Sequence, residues 1–138
     1  MAVGYSGKSL AQKLGIKEET QLFVINDPGK DYHAALGFKP VKFNKQKEPQ
    51  IIHFFTLSKA ELATILKKLR SLIDRDGMVW VSWPKKSARV KTDVTEDVIR
   101  EVAYPLDFVD LKVCAVTEIW SGLKLSAISC RKKQISGS

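Results

Sequence analysis

Cysteine is too scarce in this sequence to build a disulfide framework, since only Cys114 and Cys130 occur and a small secreted scaffold needs several pairs. With His33 and His53 the two thiols show no metal-ligand spacing, so no structural metal is expected. No run of about 18 apolar residues exists, which excludes a hydrophobic spanning helix. The opening Met-Ala-Val-Gly-Tyr-Ser-Gly-Lys lacks the apolar stretch of a secretory signal. A cytoplasmic protein without membrane contact is the expectation. A nucleophile elbow, a P-loop and paired catalytic carboxylates are missing too, so no catalytic residue is assigned.

What is present is a globular composition with a basic excess. Apolar residues at 44% and charged residues at 28% suit a soluble domain. A chain of 138 residues has the length of one domain and buries about two thirds of its unfolded surface. Residues 1–138 therefore read as a single α/β domain, with 131–138 a flexible tail. The net charge of +8 raises the question of an anionic small molecule, an acidic partner or nucleic acid, while lysines spread along the chain read more simply as a solvated basic surface. Three groups are denser than the background: Lys39, Lys42, Lys45 and Lys47; Lys85, Lys86, Arg89 and Lys91; Arg131, Lys132 and Lys133.

In chain order, Ser9 and Gln12 fit a capping box for a short helix with Leu10 and Leu14 on one face, ended by Gly15. Thr20 to Ile25 is a first strand. Asp27 can cap a helix whose first residue is Pro28 and which stops at Gly37. Val41 to Asn44 is a brief strand, and Lys45 to Glu48 a charged loop. Ile51 to Leu57 is a strand of buried type, leading into Ser58 and Glu61 as a second capping box. The helix they open carries Leu62, Ile65, Leu66, Leu69, Leu72 and Ile73 on one face.

Met78 to Trp83 is apolar or small almost throughout, as a strand covered on both faces must be. Asp93 with Glu96 resembles a further capping pair, before a helix carrying Val94, Val98, Ile99 and Val102 that Pro105 excludes from continuing. Val109 to Val116 alternates, with Val109, Leu111, Val113 and Ala115 on one side. After a turn at Ser121-Gly122, Leu123 to Ile128 closes a hairpin. That turn puts Cys114 opposite Ser129 and Cys130 opposite Val113, on opposite sides of the sheet, so no disulfide is expected. The order predicts a mostly parallel sheet with helices on both faces, three layers in all, and one reversed strand.

Ligands of such sheets bind at the carboxyl edge of the strands. Ser82, Trp83, Lys85, Lys86 and Arg89 leave that edge after the central strand. The lysines could meet a phosphate or carboxylate, Arg89 could add a bidentate contact and Trp83 could stack on a flat ring. The competing reading packs Trp83 in the core and leaves the lysines solvated. Asn26 and Asp27, at the end of the first strand, could bind a ribose or an amine; a helix cap is their simpler use. Glu118, Trp120 and Lys124 cluster at the hairpin, as cross-strand partners or as a pocket edge. His53, inside an apolar strand, reads as a satisfied buried histidine, with no serine or cysteine placed as its nucleophile.

Asp76-Gly77-Met78-Val79-Trp80-Val81-Ser82 and the pair of strands from Phe108 to Ile128 resemble the fifth strand and the closing strands of the S-adenosylmethionine-dependent methyltransferase fold. The resemblance implies a truncated Rossmann-like sheet and S-adenosylmethionine as the candidate cofactor. Two features depart from it. The loop after strand one, Asn26-Asp27-Pro28-Gly29-Lys30, is not glycine-rich, and the chain is one strand-helix unit short between Asn44 and Ile51, where the family's ribose-binding acid sits.

A further resemblance runs through Gly4-Tyr5-Ser6-Gly7, Leu10 to Ile16, Val81-Ser82-Trp83-Pro84-Lys85-Lys86, Val113 to Val116, Glu118 and Trp120-Ser121-Gly122-Leu123-Lys124. These residues are similar to a family of small bacterial proteins known only as a domain of unknown function. The expectation is a non-catalytic domain that binds an anionic small molecule or partner at the carboxyl edge. A methyltransferase with an atypical cofactor loop and a nucleic-acid binder using the basic face are the alternatives.

Overall fold

The computed structural model describes residues 9–17, 21–43, 51–73 and 77–128. Thr20, Asn44 to Gln50, Asp74 to Asp76, Cys130, the segment Gly4 to Gly7 and the tail 131–138 lie outside them, and so do the expectations that fall there.

Six strands form one sheet: β1 (Leu22–Ile25), β2 (Val41–Lys42), β3 (Ile51–Phe55), β4 (Met78–Pro84), β5 (Phe108–Ala115) and β6 (Trp120–Ala127). Their order is β2-β1-β3-β4-β6-β5. β1 is parallel to β2 and β3, β3 is parallel to β4, and β6 is antiparallel to both β4 and β5. Only β6 is reversed, as the order of elements implied.

Helices α1 (Leu10–Leu14) and α2 (Lys30–Leu36) cover one face, and α3 (Lys59–Leu72) and α4 (Glu96–Ala103) the other. Leu14, Tyr32 and Leu36 pack with Val24, Phe55 and Trp80. Leu62, Leu66, Leu69 and Ile99 pack with Ile52, Phe54, Val79, Val81 and Trp83. All five residues of β3 are buried. A strand sandwiched between helices has no wet face, which is why its sequence runs apolar without alternation.

Local chemistry sets the helix ends, with three differences from the sequence reading. The Ser9–Gln12 box is complete, and Gly15 ends α1 in the left-handed conformation with φ 80°. α2 starts at Lys30, not Pro28, because Asp27 Oδ1 accepts the Gly29 N–H at 2.8 Å and draws the chain into a turn first. Ser58 caps α3 by accepting the Glu61 N–H, but the Glu61 carboxylate turns away to Thr56 and Asn26, so only half the capping box forms. Thr95, not Asp93, caps α4, and Asp93 instead accepts the Lys59 N–H at 2.7 Å. On α3, Leu62, Leu66 and Leu69 are buried while Leu72 is 40% exposed.

The hairpin differs most. β5 and β6 are joined by Val116 to Ile119, so Gly122 lies inside β6 and faces Cys114. A bulge at Leu111 inserts one extra residue between the pairs Asp110–Leu125 and Lys112–Lys124. One extra residue flips every side chain beyond it to the other face. Val109 and Val113 therefore lie on opposite faces, not on one.

Candidate functional site

The chain leaves β1 toward β2 on one side and returns to β3 on the other, so the ends of β1 and β3 form the switch point at which α/β sheets hold ligands. Asn26 follows β1 with φ 61°, a left-handed conformation that asparagine tolerates better than most residues. Its Nδ2 donates to Phe55 O and to Glu61 Oε2, both at 3.0 Å. Thr56, just past β3, donates to Glu61 Oε1 at 2.7 Å. The gap between the two strand ends is thus bridged by the protein's own polar groups. Asp27 takes both the Gly29 amide and His33 Nε2, the latter at 2.7 and 2.9 Å.

Behind the edge lies a buried polar chain. Tyr32 Oη on α2 is 2.7 Å from His53 Nδ1, and His53 Nε2 is 2.7 Å from Ser82 Oγ on β4. Tyr32 is 1% exposed, and His53 and Ser82 are fully buried. Burial holds the His53 pKa down at about 3, so the ring is neutral, donating through one nitrogen and accepting at the other. Burial also pushes the Tyr32 hydroxyl far up, with the charge of Asp27 adding to the effect. The sequence reading placed no serine beside His53, and Ser82 stands there. Its complete burial gives a substrate no access, so the chain secures the sheet.

The same burial decides Trp83, which is 9% exposed and packs with the α3–α4 core. Its ring takes the core alternative of the sequence reading. Lys85 is half-buried, while Lys86 and Arg89 are exposed. The Lys85 N–H donates to Ile119 O at 2.8 Å, tying the exit of β4 to the hairpin tip. A 3-10 turn over Lys86–Ala88 then leads to Arg89 at φ 56°. Thr92 Oγ1 and the Asp93 N–H both donate to Leu57 O, folding this loop back over the start of α3. Among the described residues, Lys85, Lys86, Arg89 and Lys91 enter no ion pair.

A cleft of about 290 Å³ opens between the β1–α2 turn and the hairpin tip, lined by Pro28, Lys30, Asp31, Tyr32, Thr117, Ile119 and Trp120. Trp120 stands edge-on to Phe55 with ring centroids 5.1 Å apart, and Phe55 in turn packs against Tyr32 at 4.7 Å and stacks on His53 at 4.1 Å. A rigid aromatic block therefore backs the cleft, and Lys30 stands exposed at its rim. Of these lining residues, the sequence singled out only Trp120; Lys30 and Tyr32 carry no motif and are brought in by the fold. A second cleft, of about 700 Å³, lies between Asn26, Asp27, Lys42 and Phe43 and the side of α3. No site is assigned to it.

Among the described residues, no group of three or more histidine, cysteine, aspartate or glutamate side chains could hold a metal ion. No helix among them is long and apolar enough to cross a membrane.

No family model matches the chain, and no curated protein matches it either. Solved structures share its fold. The mitomycin 7-O-methyltransferase MmcR is similar at a TM-score of 0.57 and 7% identity, over 87% of this chain and 53% of that one. LepI in complex with SAM is similar at 0.54 and 11% identity, over 91% of this chain. A protein of the NADB-Rossmann superfamily from Streptococcus agalactiae is similar at 0.52 and 12% identity, over 87% of this chain and 68% of that one. The chain spans 40% of the length of LepI. These likenesses establish a Rossmann-like, methyltransferase-like α/β fold.

The residues at the switch point do not suit S-adenosylmethionine. Pro28 offers no amide, the Gly29 amide is already taken by Asp27, and the Asn26 side chain occupies the gap between β1 and β3.

Proposed function

We propose that this domain is a non-catalytic binding module that holds a small, ring-bearing anion at the carboxyl edge of its sheet. The observation that carries this reading is the cleft between Pro28 and Trp120, with Lys30 at its rim. Pro28, Ile119 and Trp120 suit one face of a ring, and Lys30, with Asp31 next to it on the lining, suits a phosphate or carboxylate attached to that ring. A volume of about 290 Å³ lies just below the range of about 300–1,000 Å³ usual for ligand pockets. A monocyclic ligand is therefore favoured over a nucleoside carrying an amino acid. Lys85, Lys86 and Arg89, beyond Ile119, extend the positive field toward the same edge. In this reading Asn26 and Asp27 line the neighbouring cleft, Asp27 fixes the turn that leads into Lys30, and Ser82 and Trp83 hold the frame.

The test is an NMR titration of the full chain with phenyl phosphate and with benzoate. Saturable shifts clustered on Pro28 to Tyr32 and Thr117 to Trp120 are expected, weakened in Lys30→Ala and lost in Trp120→Ala. Shifts that scatter over the surface, or that survive both changes, overturn the reading.

Methyl transfer is the competing reading, supported by the likeness of the fold to MmcR and to LepI, which was solved with SAM. Calorimetry with S-adenosylmethionine separates the two. Saturable binding at a one-to-one ratio favours transfer, and no heat at millimolar cofactor favours the binding module.

A further inference from the structure

On the α1 side of the sheet, three lysines gather: Lys13, Lys112 and Lys124. Lys112 on β5 and Lys124 on β6 are register partners, so their Cβ atoms are about 4.5–5.5 Å apart on one face, and like charges directly opposite each other destabilise a sheet. Lys13 reaches across from α1 and donates from Nζ to Ala115 O at 3.2 Å. Among the described residues, none of the three enters an ion pair.

Their positions are nonetheless constrained. Lys124 Nζ lies 5.9 Å from the centre of the Trp80 ring and close to the end of α1, where a Cβ added to Gly15 would come within 3.6 Å of it. Lys13 and Lys124 are half-buried. Burial and then the charge of Lys112 hold the Lys124 pKa below the usual lysine value. The half-buried thiol of Cys114, whose pKa burial raises, feels both Lys13 and Lys112 pulling it down. Lys13 and Lys124 are thus held around one spot, and the exposed Lys112 stands opposite Lys124 across the strand pair.

We propose that Lys13, Lys112 and Lys124 form a site for a multiply charged phosphate-type oxyanion, separate from the cleft at Trp120. Three ammonium groups with no carboxylate among them match the charge of a phosphate monoester or a pyrophosphate. Bound between Lys112 and Lys124, such an anion turns a repulsive cross-strand pair into a bridged one.

The test is calorimetric titration of pyrophosphate into the full chain at low ionic strength. Saturable binding is expected, weakened at least about tenfold in Lys112→Ala/Lys124→Ala and retained in Lys85→Ala/Lys86→Ala. Because the double change relieves repulsion, that variant should melt no lower than the wild type in chloride. Only the wild type should gain melting temperature when pyrophosphate is added. Equal binding by the two proteins, no binding by the wild type, or the same gain from sodium chloride at matched ionic strength overturns the proposal. Tighter binding of a single-stranded oligonucleotide, lost in the same variant, overturns the small-anion assignment in favour of backbone phosphate.

Discussion

His53 Nε2 and Ser82 Oγ are hydrogen-bonded at 2.7 Å across the paired strands β3 and β4, and neither side chain reaches solvent. With Tyr32 on the other ring nitrogen, both imidazole nitrogens are satisfied only while both neighbours are present, and burial keeps the ring neutral.

Acid should therefore unfold this protein partly through His53. Its folded pKa of about 3 lies below the ordinary imidazole value of 6.5, so the unfolded chain binds the extra proton first. The stabilisation is complete above pH 6.5 and is lost as pH falls toward 3, with a limiting slope of about 1.4 kcal/mol per pH unit. Urea unfolding of wild type and His53→Gln between pH 6.5 and 4 measures it. The slope should be shallower in the variant; equal slopes would show that His53 contributes nothing.

Gly122 should not tolerate a side chain. A Cβ there would meet Val116 Cγ2 at 3.0 Å, Trp80 Cε3 at 3.2 Å and Ser82 Oγ at 3.3 Å, all on well-packed residues. Gly122→Ala should destabilise by about 1–3 kcal/mol through overpacking, read as a lower denaturant midpoint. A midpoint at or above that of the wild type would mean that β6 can shift away from Trp80.

At Asn26 the two roles of the residue can be separated. Asn26→Ala removes its bonds to Phe55 O and Glu61 and keeps the cost of φ 61°. Asn26→Gly removes the same bonds and relieves the backbone. The glycine variant should be the more stable of the two by about 1 kcal/mol. If alanine proves the better replacement, the turn relaxes out of the left-handed conformation once the bonds are gone.

Trp83, unlike Trp120, should matter for stability and not for ligand binding. Trp83→Ala should cost about 3–5 kcal/mol, as for a buried aromatic residue, whereas the conservative Trp83→Phe should leave phenyl phosphate binding unchanged. Loss of binding in a folded Trp83→Phe protein would place that ring at the ligand after all.

Much of the fold was legible because its signals are local. The apolar stretches Ile51 to Phe55 and Met78 to Trp83, the leucine face of α3 and the caps at Ser9 and Gly37 each depend on residues a few positions apart. The hairpin was misread because Ser121-Gly122 has turn chemistry while Val116 to Ile119 has little, and the bulge at Leu111 leaves no mark in an alternating sequence. Glu61 looked like a capping residue, and only its contact with Asn26 shows that it closes the switch point.

By itself the sequence determined which segments are strands and helices, that the sheet is mostly parallel, and that the chain is basic. Periodicity, capping and charge are properties of neighbours along the chain. The tertiary structure alone decided that Trp83 faces inward while Trp120 faces a cleft, that Ser82 meets His53, and that Lys112 and Lys124 stand opposite each other. Those relations depend on strand register and on which face a side chain takes, and a single bulged residue is enough to reverse that face.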